Sequence, residues 1–243
     1  MTNQTAPAPI ELQLYRVDLQ ADTRAFASGL RQLSPDEHAQ ASRCRTEAEH
    51  RRFVLIHARL REIVGRYLDV SPRSVRFELD ATGRRVLDPR MQDGVHFDAS
   101  HAGELGVVAL AGAPVGIDLE TVRNVDDALA QADARFSAAE CSALRRETAA
   151  SLPAQYLRCL THKRAALRAC GRGLAEMAQF TVALDRPRQQ LGLPDLRRLD
   201  QPSSIECVQA RTSLLTLLHL SPASDCIGAV AVTAADVTLR WKT

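Results

Sequence analysis

Two short runs hold side chains whose types and spacing could do chemistry. The first is FDASHAGELGVVALAGAPVGIDLE, residues 97–120. It ends in Asp118-Leu119-Glu120. On a strand, residues two apart point to the same face. Both carboxylates would then face one way while Leu119 faces the core. Like charges so placed repel unless a cation lies between them. Magnesium suits such a pair, because it takes one or two carboxylates together with phosphate oxygens and water. The alternative is two exposed acids at a strand end. Earlier in the same run, Ser100-His101 lies in DASHAG, read as a tight loop. Its hydroxyl, imidazole and backbone N–H groups could hold phosphate oxygens. No G-x-S-x-G turn surrounds Ser100, so a hydrolase nucleophile is disfavoured. The plain alternative is a loop histidine bonded to nearby backbone.

The second run is LTHKRAALRACGRGL, residues 160–174. Lys163 is one of two lysines in a chain with 31 basic residues, the other being Lys242. A lysine ammonium is a compact point charge, and arginine's planar fork does not replace it everywhere. Arg164 and Arg168 are four apart and share a helix face. That face is either a solvated basic surface or an anion site.

These side chains need elements to position them. IELQLYRVDL at 10–19 alternates like a strand. Ser34-Pro35 opens a helix with an N-cap and a proline in its first turn. Residues 47–68 carry an apolar stripe that includes Phe53, Ile56, Leu60 and Val64, and predict a long helix. VRFELDATGRRVL predicts a strand, a glycine turn and a short extended piece. Residues 95–120 predict strand, loop, strand, turn, strand. Further on, Ser137 and Glu140 form a capping box. A helix over 153–171 stops at Gly171. QFTVAL, SIECVQARTS, LLTLLHLS and CIGAVAVTA read as strands, and residues 1–9 as a flexible start. Each half thus holds a long helix and a few strands. The expected fold class is α+β, two similar α/β lobes spanning 1–113 and 114–243 in a pseudo-twofold arrangement.

Composition narrows the function classes. At 243 residues the chain can bury a large core. The net charge of +2 argues against a dedicated nucleic-acid binder. The six cysteines show no compact metal-ligand spacing. Neither a signal-peptide pattern nor an apolar run of roughly 20 residues is present. The expected location is cytoplasmic, with no membrane partner.

Taken in order, GRR at 83–85, FDASHAG at 97–103, VGIDLE at 115–120, RFSAAE at 135–140 and the run at 160–174 form a pattern. The chain resembles the larger, monomeric class of 4'-phosphopantetheinyl transferases, the type that primes peptide and polyketide synthases. The likeness extends from about residue 34 to residue 180. It implies two facing lobes with coenzyme A in the cleft. It implies transfer of phosphopantetheine to a serine of an apo acyl or peptidyl carrier protein, with adenosine 3',5'-bisphosphate released. Asp118 and Glu120 match the metal ligands, with magnesium bridging to the pyrophosphate as a Lewis acid. Ser100 and His101 match the loop that grips coenzyme A phosphates. Lys163 matches a helix lysine at the phosphates, and Arg168 replaces a second one. Arg84 replaces a turn lysine near the pyrophosphate, and Arg52 fits a basic position near the nucleotide. The catalytic set implied is Asp118, Glu120, Lys163 and His101.

Some positions depart from the pattern. Arg164 stands where the pattern has a glutamate, a metal ligand or the base for the serine proton. Leu160 replaces a tryptophan and Asp98 an asparagine. Glu37 and Gln40 fall where some relatives carry lysines for the 3'-phosphate. Three readings follow: a working transferase, a coenzyme A or carrier-protein binder on the same fold without turnover, and an unrelated α+β protein.

Overall fold

The computed structural model describes residues 8–80, 83–91, 94–193 and 213–242. The chain opens with β1 (Ile10–Asp18), α1 (Thr23–Gln32), α2 (Pro35–Ala41) and α3 (Glu47–Tyr67). The hairpin β2 (Phe77–Leu79) and β3 (Arg85–Leu87) leads to β4 (His96–Ala102), β5 (Leu105–Ala111) and β6 (Val115–Thr121). Then come α4 (Ala128–Asp133), α5 (Ala138–Leu144), α6 (Leu152–Ala169) and β7 (Arg188–Leu193). β8 (Ser213–Ala223), β9 (Cys226–Val232) and β10 (Val237–Lys242) complete the described chain. The fold is α+β.

Two four-stranded sheets make the frame, in the orders β10-β1-β5-β4 and β6-β9-β8-β7. All pairings are antiparallel except β1 with β10, which run parallel. Alternation along the strands decides what each face meets. Leu12, Leu14, Val107 and Ala109 of the first sheet pack against Ile117, Leu119, Val230 and Val232 of the second. Tyr15, Val17, Val108 and Leu110 face the other way, toward Ile56, Leu60 and Ile63 of α3. On the far side of the second sheet, Leu217, Ala229 and Ala231 pack on Leu157, Leu160 and Ala165 of α6. The layers are α3, sheet, sheet, α6.

One device occurs in both halves. Ser34 caps α2 and Ser137 caps α5, each in a capping box with Glu37 or Glu140. Each glutamate is buried and pairs with a base on the next long helix. Glu37 Oε2 lies 2.6 Å from Arg61 Nε. Glu140 Oε2 lies 2.9 Å from Lys163 Nζ. Arg61 donates to the carbonyls of Pro72 and Val75, and Lys163 to those of Met177 and Phe180. The basic side chain thus ties the helix to the segment that follows it.

Two expectations need correction. Ser100 and His101 lie within β4, and the turn comes after them at Gly103, where φ is 56°. QFTVAL is not a strand. Its backbone is met by side chains instead: Val182 N–H donates to Glu140, Ala183 N–H to Gln189, and Lys163 reaches Phe180 O. β10, the last described strand, completes the first sheet beside β1. The strand expected at 204–213 lies outside the described residues except Ser213, as does the start except residues 8 and 9. The structure adds α1, α4, β7 and β10 to the elements that the sequence predicts.

Candidate active site

β6 is buried on both faces, so its side chains divide cleanly. Val115, Ile117 and Leu119 enter the core between the sheets. Gly116, Asp118 and Glu120 face α6. Gly116 makes the close approach possible. A Cβ there would lie 2.3 Å from Ala165 O and 2.4 Å from Ala169 N. The helix therefore rests on the strand backbone, and residue 164, one turn before 168, comes opposite the two acids.

Arg164 Nη1 lies 2.7 Å from Glu120 Oε1 and 3.5 Å from Asp118 Oδ2. Asp118 Oδ2 is buried and makes no hydrogen bond. Burial pushes the Asp118 carboxyl up to about 7, against the opposing pull of Arg164 and Arg168. The strand reading of the pair is met in its geometry: both carboxylates share a face and meet a cation. That cation is a guanidinium. A divalent ion touching both acids would lie against it, and unit like charges about 4 Å apart repel by about 4 kcal/mol near a protein surface. A dication roughly doubles that. Among the described residues, no group of three or more histidine, cysteine or acidic side chains could hold a metal. As arranged, these residues do not fit magnesium.

β4 supplies the next contacts. Its even residues face the second sheet and bond to the free edge of β6. Asp98 Oδ2 accepts from Ile117 N–H at 2.8 Å, and Ser100 Oγ accepts from Leu119 N–H at 3.1 Å. Asp98 also holds Arg168 by two hydrogen bonds, 2.7 and 2.6 Å. The fork expected at phosphates is thus engaged by a carboxylate. His101, one residue on, points to the opposite face of the strand from Ser100. Partial burial of its ring, and then the charge of Arg52, lower its pKa. Arg52 itself pairs with Glu104 at 2.5 Å. Ser100 and His101 therefore do not form one grip.

Arg84 follows Gly83, whose φ of 78° makes the turn. Its Nη2 donates to Val115 O at 3.3 Å, and its buried Nε makes no hydrogen bond. A cavity of about 460 Å³ opens there, lined by Gln40, His57, Arg84, Arg85, Asp98 and Arg168 among others. Three arginines line it, of which Arg168 pairs with Asp98 and Arg85 lies 3.8 Å from Glu37. Sequence reasoning gave no role to Arg85 or His57, although Arg85 is the last residue of the quoted GRR turn. Lys163 is not brought to this cavity. It is fully buried, paired with Glu140, and its ammonium lies 4.3 Å from the Phe180 ring centre.

No protein-family model matches the chain. It is 31% identical over 229 residues to the 4'-phosphopantetheinyl transferase HetI of Nostoc sp., a match covering 91% of this chain and 87% of that protein. It is 30% identical over 191 residues to the 4'-phosphopantetheinyl transferase psf-1 of Bacillus pumilus, covering 76% and 80%. To the 4'-phosphopantetheinyl transferase Sfp of Bacillus subtilis it is 25% identical over 165 residues, covering 67% and 72%. With HetI matched across nearly its whole length, the chain belongs to the 4'-phosphopantetheinyl transferase family.

Proposed function

We propose that this protein transfers 4'-phosphopantetheine from coenzyme A to a serine hydroxyl of an apo acyl or peptidyl carrier protein. The observation that carries the reading is the buried Asp118 Oδ2 without a hydrogen bond, next to Arg168 of the arginine-lined cavity. Family membership supports the same chemistry. The serine oxygen attacks the phosphorus next to the pantetheine. The bond from that phosphorus to the adenosine-side phosphate breaks, and adenosine 3',5'-bisphosphate leaves with the electron pair. The serine proton passes to Asp118, whose buried Oδ2 accepts no other hydrogen bond. A base titrating near 7 is matched to that task.

Arg84 and Arg85 would hold phosphates in the cavity, and Arg168 would join them by sharing its fork with Asp98. Ser100 can still donate its hydroxyl proton. His101 and Arg52 would meet the ligand from the α3 side. Lys163 supports α6 from inside. Magnesium, which the family pattern implies, would have to displace Arg164 from Glu120. The two lobes, divided near residue 113, would form a pseudo-twofold pair, and the repeated glutamate–base device supports this. The reading includes a cytoplasmic monomer.

The Arg164 ion pair favours a second reading, a binder of coenzyme A or carrier protein without turnover. Intact-protein mass spectrometry separates the two. Magnesium, coenzyme A and several apo carrier proteins are mixed with the native protein, Asp118→Ala and Arg164→Glu. One added phosphopantetheine with the native protein, lost in Asp118→Ala, is the expected result. Transfer only by Arg164→Glu would favour the binder.

A further inference from the structure

Asp118 and Glu120 already share a cation, and it is covalently part of the chain. Arg164 springs from the middle of α6, whose backbone is pressed onto Gly116. Its side chain is 28% exposed, so it is anchored on one side and open on the other. Both carboxylate contacts use Nη1. Nε and Nη2 are left for an incoming group. A guanidinium is always charged and presents paired donors that match a phosphate. Its neighbours are less available, since Arg168 donates two bonds to Asp98 and Arg52 pairs with Glu104. Arg84 has a buried Nε without a hydrogen bond beside the cavity, a second donor awaiting an acceptor.

Charge accounting agrees. When both are ionised, Asp118 and Glu120 carry two negative charges, and Arg164 offsets one of them without a metal ion.

We propose that Arg164 stands in for the divalent cation, so that this protein binds the coenzyme A pyrophosphate without a metal ion at Asp118 and Glu120. The inference rests on the coenzyme A reading above. It replaces a Lewis acid that must be loaded with a fixed hydrogen-bonding cation.

Titration calorimetry with coenzyme A, in excess magnesium and in EDTA, tests it on the native protein. Affinity is expected to differ by less than about threefold between the two, well under the roughly 1.4 kcal/mol of a tenfold change. Manganese alone, followed by electron paramagnetic resonance, is expected to stay free. Arg164→Glu should bind coenzyme A about 10- to 100-fold more weakly in EDTA, recover with magnesium and take up manganese. Arg164→Gln should lose the same affinity without recovery. A native affinity that falls tenfold or more in EDTA would overturn the inference, as would manganese uptake that Asp118→Ala abolishes. No coenzyme A binding under either condition would instead sink the coenzyme A reading itself, and this inference with it.

Discussion

A fully buried ammonium is stable only when every proton has an acceptor, and Lys163 meets that condition with Glu140 and two carbonyls. Removing one partner of such a pair leaves an uncompensated buried charge, which costs about 3–5 kcal/mol. Lys163→Met should therefore destabilise the fold by about that much in denaturant melts. If Lys163 acted only on ligand phosphates, stability would hold and coenzyme A affinity alone would fall. Two histidines give a pH signature. His162 and His219 stack with ring centres 5.4 Å apart. Burial lowers each to about 4. The unfolded chain then binds more protons than the fold between about pH 6.5 and pH 4. Stability is greatest above that window and falls as pH drops through it. Asp118, raised to about 7, partly offsets this by favouring the fold as pH falls, but thermal melts across pH 7 to 4 should still show the decline, and His162→Gln should make it shallower.

The elements are held by backbone-scale fits. Gly116 is where α6 meets β6, and a Cβ there would overlap backbone atoms of the helix. Gly116→Ala should lower stability by at least about 1–3 kcal/mol, the range for overpacking. It should also move Arg164 away from Glu120, so the metal independence argued above should change with it. The same substitution at Gly112, where a Cβ meets nothing within 4 Å, should be nearly silent in the same melts. The capping boxes are a second control point. Ser137 Oγ accepts from Glu140 N–H, and the Glu140 carboxylate returns to Ser137 N–H. Ser137→Ala should cost about 1 kcal/mol. Glu140→Gln should cost more, because it also strips Lys163 of its counter-charge.

Across the whole molecule, the two halves are joined by more than packing. Asp98 and Ser100 of the first half satisfy backbone N–H groups of β6 in the second, and β10 returns to pair with β1. A fragment ending at residue 113 would lack β10 and the partners of Asp98. It should show no cooperative unfolding transition by circular dichroism. A cooperative, ligand-free melt of that fragment would instead mark residues 1–113 as an independent lobe. Asp98→Ala should loosen the seam and release Arg168, weakening folding while freeing a phosphate-binding fork.

Much of this was legible from local pattern. Period-two alternation in VGIDLE predicted that Asp118 and Glu120 share a face, and the burial of β6 agrees. The S-x-x-E spacing predicted the Ser137 capping box, which the structure contains. The motif order pointed to the family to which the chain belongs. The first two depend on neighbours within a few residues and the third on order along the chain, so the sequence carries all of them by itself. What it could not carry was the identity of distant partners. Arg164 lies 44 residues from Glu120, and Arg168 lies 70 from Asp98. QFTVAL has a strand's composition, yet side chains from elsewhere take its backbone bonds. Lys163 stands where the family pattern has a lysine at the phosphates, and only the packing of α6 turns it inward toward Glu140. Whether a charge meets solvent, a ligand or a buried counter-charge depends on which surfaces close over it, and tertiary structure alone decided that.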